Sequence, residues 1–464
     1  MLRGPDELLA QVARRSPAQP AAGSSTAELN EVLDASMAIM IALRRRGRFA
    51  DVHDYAERVQ AAVPMARFGH PAAALTGLSS LSLQIGVGEL LAGNLTGAVG
   101  PLTFAWETSR DDPRAFIERD SAGKIALVHA MGGDISLATK WLKRHDRAGH
   151  PDGFLQQLVA TTGTIAQALV ALERPHAAVS VAAAAVDALS DAEVIDEFWA
   201  YLEYAIVQCA IDGGDWSGML ARLDRARQTH RHWLTPDAVA RPLLASAEAD
   251  LLMAAGRGNE ALSVLESTQS DHELVRVGRA RLALLTGDTD TAAMIGADGA
   301  WQRSASTRTR VEMLLIAAVA AERTAHSQQA DRLLMQAMSA ASHAGLRRPF
   351  QAVPRDELAA IAARLPEITD VVKDVLRSSR QRYPSRVRMV TLSERERLVL
   401  EQAADGLTIQ QIAQALFVSA NTVKSQLKSL YRKLDVSTRP DAVARAFSWG
   451  ILTPAPRTHS PQNS

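Results

Sequence analysis

Three cations near the C-terminal end fall on one helical face. Lys424, Lys428 and Arg432 stand at i, i+4 and i+8, with Asn421 and Ser425 beside them. On a helix that spacing makes one basic stripe. Val423, Leu427, Leu430 and Leu434, at i, i+4, i+7 and i+11, form an apolar stripe about 100° away that must face a core. Lys and Asn can meet phosphates and base edges, and a helix about 10–12 Å across fits a major groove about 12 Å wide. Ser419 caps the start of this helix, where unpaired amides and the positive dipole end suit a phosphate.

Two shorter helices must hold the basic one in place. Ser393 before Glu394-Arg395-Glu396 is a capping box, and Leu392, Leu398, Val399 and Ala403 recur at helical spacing up to Gly406, which supplies the stop. Thr408 caps a second helix over 409–416, with Ile412, Ala413 and Leu416 as its apolar side. A fourth helix, from Thr438 to Trp449, presents Ala442, Val443, Ala446 and Phe447.

At these residues the segment resembles the C-terminal LuxR-type helix-turn-helix domain. The pattern is carried by Leu392, Glu394-Arg395-Glu396, Ala404, Gly406-Leu407, Ile412-Ala413, Leu416, Val418-Ser419, Thr422-Val423-Lys424, Lys433-Leu434, Val436 and Arg439, and covers about 65 residues. The resemblance implies that Lys424, Ser425 and Lys428 enter the major groove of double-stranded DNA and that Thr422 touches the backbone. It implies pairing of two domains through the fourth helix, hence a homodimer on DNA, and contact with RNA polymerase. Two positions depart from the family: Ile409-Gln410-Gln411 replaces an Asn-Lys-Glu run, and Gln426 replaces a His. Losing that cation shifts weight onto dimerisation. The promoter-reading end of a sigma factor has similar helices. However, the fourth helix and the lack of an upstream basic, aromatic-rich segment favour the LuxR-type reading.

Over the whole chain Lys+Arg and Asp+Glu are equal at 51 each, so net charge names no partner. Distribution is more telling: from Arg386 onward 11 Lys/Arg face 6 Asp/Glu, a net of +5 against −5 for the rest. With 464 residues, 47% of them hydrophobic, there is room for two to four domains. Cys209 is the only cysteine, which excludes an intramolecular disulfide or a cysteine-rich metal site and fits a cytoplasmic protein. The N-terminus has acidic residues where a signal peptide needs an apolar run. Residues 154–172 are uncharged, but with three Gln and three Thr they read as a core helix and not a membrane span.

The remaining chain reads as all-α: an α-solenoid of helical hairpins followed by the four-helix LuxR-type domain. Turn signals recur at Gly47, Gly93-Asn94, Gly133-Asp134, Glu173-Arg174-Pro175, Gly214-Asp215, Gly258-Asn259 and Gly287-Asp288, with a period near 40. In the Gly-Asp and Gly-Asn turns, Gly ends one helix and Asp or Asn caps the next. This is similar to a degenerate tetratricopeptide-like array, in particular the repeat region of large MalT-like regulators. The ATPase module of those regulators is not expected, because G-x-x-x-x-G-K-[ST] occurs nowhere.

The expected domains are a flexible segment 1–27, a helical-repeat domain 28–376, a basic linker 377–390, the helix-turn-helix domain 391–453 and a disordered tail 454–464. The linker, RSSRQRYPSRVR over 377–388, reads as disordered, with five arginines able to touch flanking phosphates. The array's concave side suits a ligand or a protein partner; equally, the array can serve only to present and pair the DNA-binding domain. Trp106, Trp141, Trp199, Tyr201, Tyr204, Trp216 and Trp233 are core residues or pocket walls, with core favoured.

No catalytic or cofactor constellation emerges. His230 and His232 diverge on a helix, and with His145 and His150 they read as surface histidines. Asp112 before Pro113, and Glu193, Asp196 and Glu197, read as helix starts. Cys209 reads as buried and inert. The expectation is a non-enzymatic, sequence-specific DNA-binding transcription regulator, with contacts from Ser419, Asn421, Thr422, Lys424, Ser425, Lys428 and Arg432. The alternative is a repeat-protein adaptor whose C-terminal domain has lost DNA affinity.

Overall fold

The computed structural model describes residues 25–62, 77–109, 116–149, 154–174, 177–190, 197–214, 216–296, 305–378, 381–449 and 451–452. Among these residues all regular structure is helical, apart from one isolated bridge between Arg257 and Arg388. The first half of the array comprises α1 (Thr26–Arg44), α2 (Phe49–Ala62), α3 (Gly77–Leu91), α4 (Leu95–Thr108), α5 (Phe116–Gly132), α6 (Ile135–Arg147), α7 (Phe154–Ala171) and α8 (Ala177–Ser190). It continues through α9 (Trp199–Gly213), α10 (Met219–Thr229), α11 (Ala240–Ala254), α12 (Gly258–Ser267), α13 (Glu273–Thr286) and α14 (Thr289–Gly296). The array closes with α15 (Thr307–Arg323), α16 (Ser327–Ala344), α17 (Arg348–Gln351), α18 (Arg355–Ala362) and α19 (Asp370–Arg377). The C-terminal bundle is α20 (Glu394–Ala404), α21 (Ile409–Ala415), α22 (Ala420–Leu434) and α23 (Arg439–Ser448), with its own core.

Antiparallel neighbours such as α3/α4, α5/α6 and α15/α16 form the hairpins, and α9, α11, α13 and α15 pack on one another in turn. The turn chemistry follows the residue types. Gly93, Gly133 and Gly287 take the left-handed conformation, while Asn94, Asp134 and Asp288 each accept an amide three residues on. The turn near 258 differs: Gly256 is the left-handed residue and Gly258 starts α12. Asn259 caps nothing there and is used elsewhere.

The array is not an open arc. The turn at Gly47 lies against residues 232–235, with Thr235 Oγ1 donating to Gly47 O at 2.9 Å and Trp233 Nε1 to Arg45 O at 3.1 Å. Val239 N–H donates to Leu91 O at 2.9 Å beside Gly93. Gly133 abuts Arg308 so closely that an added Cβ would sit 2.7 Å from Arg308 Cβ. Three successive N-terminal turns thus seat on the C-terminal half, and backbone approaches backbone where glycine leaves space. Glu173 lies in a turn, as expected, but is buried there and joins the halves. Its carboxylate accepts from Arg308 Nη1 at 2.7 Å and from the amides of Arg347 and Arg348 at 2.7 and 2.8 Å.

Trp141, Trp199, Tyr201, Tyr204 and Trp233 belong to the main core, with Trp106 and Trp216 packed against it. His145 is no surface residue: it is buried beneath Gly163, and burial, aided by Arg119, lowers its pKa. His230 is also partly enclosed, stacked at 4.4 Å on Trp199, and burial lowers its pKa too. Glu197 pairs with Arg44 at 2.7 Å and does not merely open a helix. Cys209 is buried, which pushes its thiol up to about 12. No helix among the described residues is long and apolar enough to cross a membrane. The readings of residues 1–24, Asp112, His150, Glu193, Asp196 and the tail fall outside the described residues.

The segment after α19 departs most from expectation. Arg382, Tyr383 and Val387 are not free in solvent; Tyr383 and Val387 are core residues of a cluster with α11, α12 and α13. Arg382 therefore cannot serve as a phosphate contact in this conformation. An arginine whose charge is matched by buried carboxylates packs like a core residue, which composition alone cannot reveal.

Candidate nucleic-acid interface

The bundle that carries the basic stripe is built around one buried acid. Ser393 Oγ accepts the Glu396 amide at 3.3 Å and the Glu396 carboxylate accepts the Ser393 amide at 2.7 Å, completing the capping box. The same carboxylate accepts from Ser429 Oγ at 2.8 Å and Lys433 Nζ at 2.6 Å, so α20 and α22 are tied together by charge. Burial opposes ionisation, yet the Lys433, Ser393 and Ser429 donors outweigh it and hold Glu396 down at about 2. The apolar side of α20 is Val399, Leu400 and Ala403, whereas Leu398, apolar-facing by spacing, is 37% exposed. The true stripe includes the buried Glu396 at its start, so counting hydrophobes alone selects the wrong neighbour.

Helix α21 is started by a second capping box, Thr408 with Gln411, at 2.8 and 3.3 Å. Gln411, a departure from the family pattern, thus has a local structural role. The turn to α22 passes through Phe417, left-handed at φ +54° and 96% exposed. Ser419 caps α22: its Oγ accepts the Thr422 amide at 3.1 Å and shares a hydrogen bond with Thr422 Oγ1 at 2.8 Å. Two arginines of α23 finish the frame. Arg439 forks onto Ala403 O at the end of α20, and Arg445 donates to Leu434 O and Asp435 O at the end of α22. Cations placed there oppose the negative dipole ends.

Within this frame Val423, Leu427, Leu430 and Leu434 are all buried, as the stripe requires. Asn421, Lys424, Ser425, Lys428 and Arg432 are exposed together with Ser419, while Thr422 is half-buried. The cations of α22 therefore divide. Lys433 is consumed by Glu396 and by Thr391 O. Lys424, Lys428 and Arg432 make no ion pair or hydrogen bond among the described residues and share one open face. On α23, Ala442 and Ala446 are buried, Val443 is half-buried, and Phe447 is 41% exposed.

A second feature lies in the array, a cleft of about 480 Å³ among α1–α4. Leu33, Leu81 and Phe104 form its walls, and His53 lies at its rim, 2.6 Å from Glu89 and 3.6 Å from Glu57. The hydrogen bond to Glu89 raises the His53 pKa. Pro101, on the α4 wall, has no N–H to return to the Gly97 carbonyl. Among the described residues no group of three or more His, Cys, Asp or Glu is placed to hold a metal ion.

Residues 390–446 match the family described as bacterial regulatory proteins, luxR family. The chain is 39% identical over 84 residues to the transcriptional regulatory protein YdfI of Bacillus subtilis, covering 18% of this chain and 39% of that protein. It is 48% identical over 61 residues to the probable transcriptional regulatory protein NarL of Mycobacterium tuberculosis, covering 13% and 28%. It is 38% identical over 63 residues to the HTH-type transcriptional regulator MalT of Vibrio campbellii, covering 14% and 7%. The chain thus spans less than two fifths of these relatives' length, with the likeness confined to a short stretch of each. That stretch is a LuxR-type helix-turn-helix domain.

Proposed function

We propose that this protein is a sequence-specific, DNA-binding transcription regulator. The observation that carries the reading is the division of cations on α22: Lys433 is spent on the frame, while Lys424, Lys428 and Arg432 stand free on one face with Asn421 and Ser425. A helix face so arranged can offer donors to base edges from its N-terminal half and cations to phosphates along its length. Ser419 and Thr422 sit where the helix start meets a phosphate, with Thr422 engaged in the cap. The half-buried Val443 and exposed Phe447 of α23 provide an apolar surface for pairing two bundles on a two-half-site operator.

The array's role in this reading is to sense a ligand or partner or to support dimerisation. The apolar cleft with carboxylates at its edge favours a small molecule with an apolar body and a donor-rich head. Cytoplasmic placement and contact with RNA polymerase belong to the same proposal.

Retention of genomic fragments by the full chain across a salt series tests it. Selective retention at low salt, with log affinity falling linearly against log salt, is expected. Lys424→Ala with Lys428→Ala should weaken binding and flatten that slope by about 0.9 for each phosphate no longer neutralised. Absence of selective retention at every salt concentration would instead support an adaptor with a vestigial bundle.

A further inference from the structure

Residues 381–390 join the array to the bundle and lie in a site built to receive them. Arg382 donates from Nη1 to Asp212 and from Nη2 to Gln208, and from Nε to Tyr383 Oη at 3.0 Å. Its side chain is only 6% exposed, and Asp250 lies 3.8 Å away. Tyr383 has two cations against its ring, Arg281 and Arg382 at 5.3 and 5.4 Å from its centre. Arg281 in turn pairs with Asp250 at 2.6 Å and Glu312 at 2.5 Å.

The remaining contacts are backbone pairings. Arg382 N–H donates to Gln351 O at 3.3 Å and Val387 N–H to Leu285 O at 3.0 Å. The Asn259 side chain holds Val390 from both sides, accepting its amide at 2.8 Å and donating to its carbonyl at 3.1 Å. Gly258 makes room for this path, since an added Cβ would lie 2.6 Å from Arg388 O.

The receptor groups come from separate helices: Gln208 and Asp212 from α9, Asp250 from α11, Asn259 from α12, Arg281 and Leu285 from α13, and Gln351 from α17. We infer that segment 381–390 is a latch: docked, it fixes the bundle to the array, and a change in spacing among those five helices releases it into a tether. Val390 is the last docked residue and the bundle's helices begin at Glu394, so little chain is left to swivel while it is held. Released, ten residues can span at most about 35 Å, close to the ~34 Å between half-sites one DNA turn apart. The array would thereby set how far a bundle can reach for its half-site. That consequence rests on the DNA-binding reading, but the latch itself does not.

The test uses the full chain carrying Gln328→Cys on α16 and Ser437→Cys on the bundle, both exposed, labelled with nitroxides; the buried Cys209 is spared by its suppressed thiolate. The intact latch is expected to give one narrow inter-label distance distribution by pulsed electron spin resonance. Arg382→Ala should at least double its width, and should speed tryptic cleavage after Arg386 and Arg388 by about tenfold or more. Asn259→Ala, which removes only the outer clasp, guards against loss of the array core and should also broaden the distribution while leaving the array's helical signal unchanged. Arg386→Ala, an exposed neighbour, should keep the narrow distribution. A broad distribution with the latch intact, or a narrow one in both Arg382→Ala and Asn259→Ala, would overturn the inference. DNA retention plays no part in any of these readouts.

Discussion

Glu396 and Lys433 show how a residue can carry charge for the frame and not for the ligand. The carboxylate holds two helices at once, so its ionised state is part of the fold. Its pKa in the folded bundle, about 2, lies below the ordinary value of 4.5. A depressed carboxylate contributes stability above its unfolded pKa and loses it as pH falls toward the folded one. Bundle stability should therefore drop between about pH 4.5 and 2, by about 1–3 kcal/mol from this group alone. Glu396→Gln should flatten that acid limb in thermal melts followed across the same range, with a lower plateau at pH 7. A limb unchanged by the substitution would mean that another carboxylate sets it. Lys424 and Lys428, by contrast, have no such task, and their replacement should leave stability within about 0.5 kcal/mol of the parent in the same melts while affecting DNA retention.

At the scale of helices and turns, glycine supplies a matched comparison. Gly133 and Gly256 are both left-handed, at φ +86° and +73°. Only Gly133 has another backbone against it, whereas an added Cβ at Gly256 meets nothing within 4 Å. Gly256→Ala should cost about 1–2 kcal/mol, the conformational penalty alone. Gly133→Ala adds the clash with Arg308 and should cost more, about 3 kcal/mol or above, in chemical denaturation of the two variants side by side. Equal costs would mean that the turn at 133 yields without strain.

The same turns explain what can be read from the chain. Gly93-Asn94 and Gly133-Asp134 announce a local stop and start, and the Lys424 and Val423 stripes announce two faces of one helix; all of these are fixed by neighbours a few residues away. Glu173 cannot be read that way, because its partners are Arg308, Arg347 and Arg348, far along the chain. Arg382 reads as a solvated linker residue for the same reason: nothing adjacent to it hints that Asp212 and Asp250 wait to receive it. Gln411 is legible as a departure from a family pattern, yet its capping role needs only the Thr408 three residues earlier. That signal is local and stands in the sequence, masked by the comparison with the family pattern.

For the molecule as a whole, the seating of the Gly47, Gly93 and Gly133 turns on the far half has a consequence for how the chain comes apart and reassembles. An open repeat array can fray from either end, because each repeat answers only to its neighbours. Here Gly47 touches Thr235, 188 residues on, and Glu173 holds the amides of Arg347 and Arg348, so both the N-terminal and the C-terminal part of the array are tied to distant helices. Unfolding of the array should be a single cooperative transition, seen as one coincident change by helical signal and by tryptophan fluorescence from Trp141, Trp199 and Trp233. Refolding should be slow for a helical protein, since distant halves must find one another before their pairing rewards the loop closure. Kinetics resembling those of a short helical bundle, or staged loss of helix before fluorescence, would show that the halves fold independently. Closure converts a modular design into one that is made, and lost, all at once.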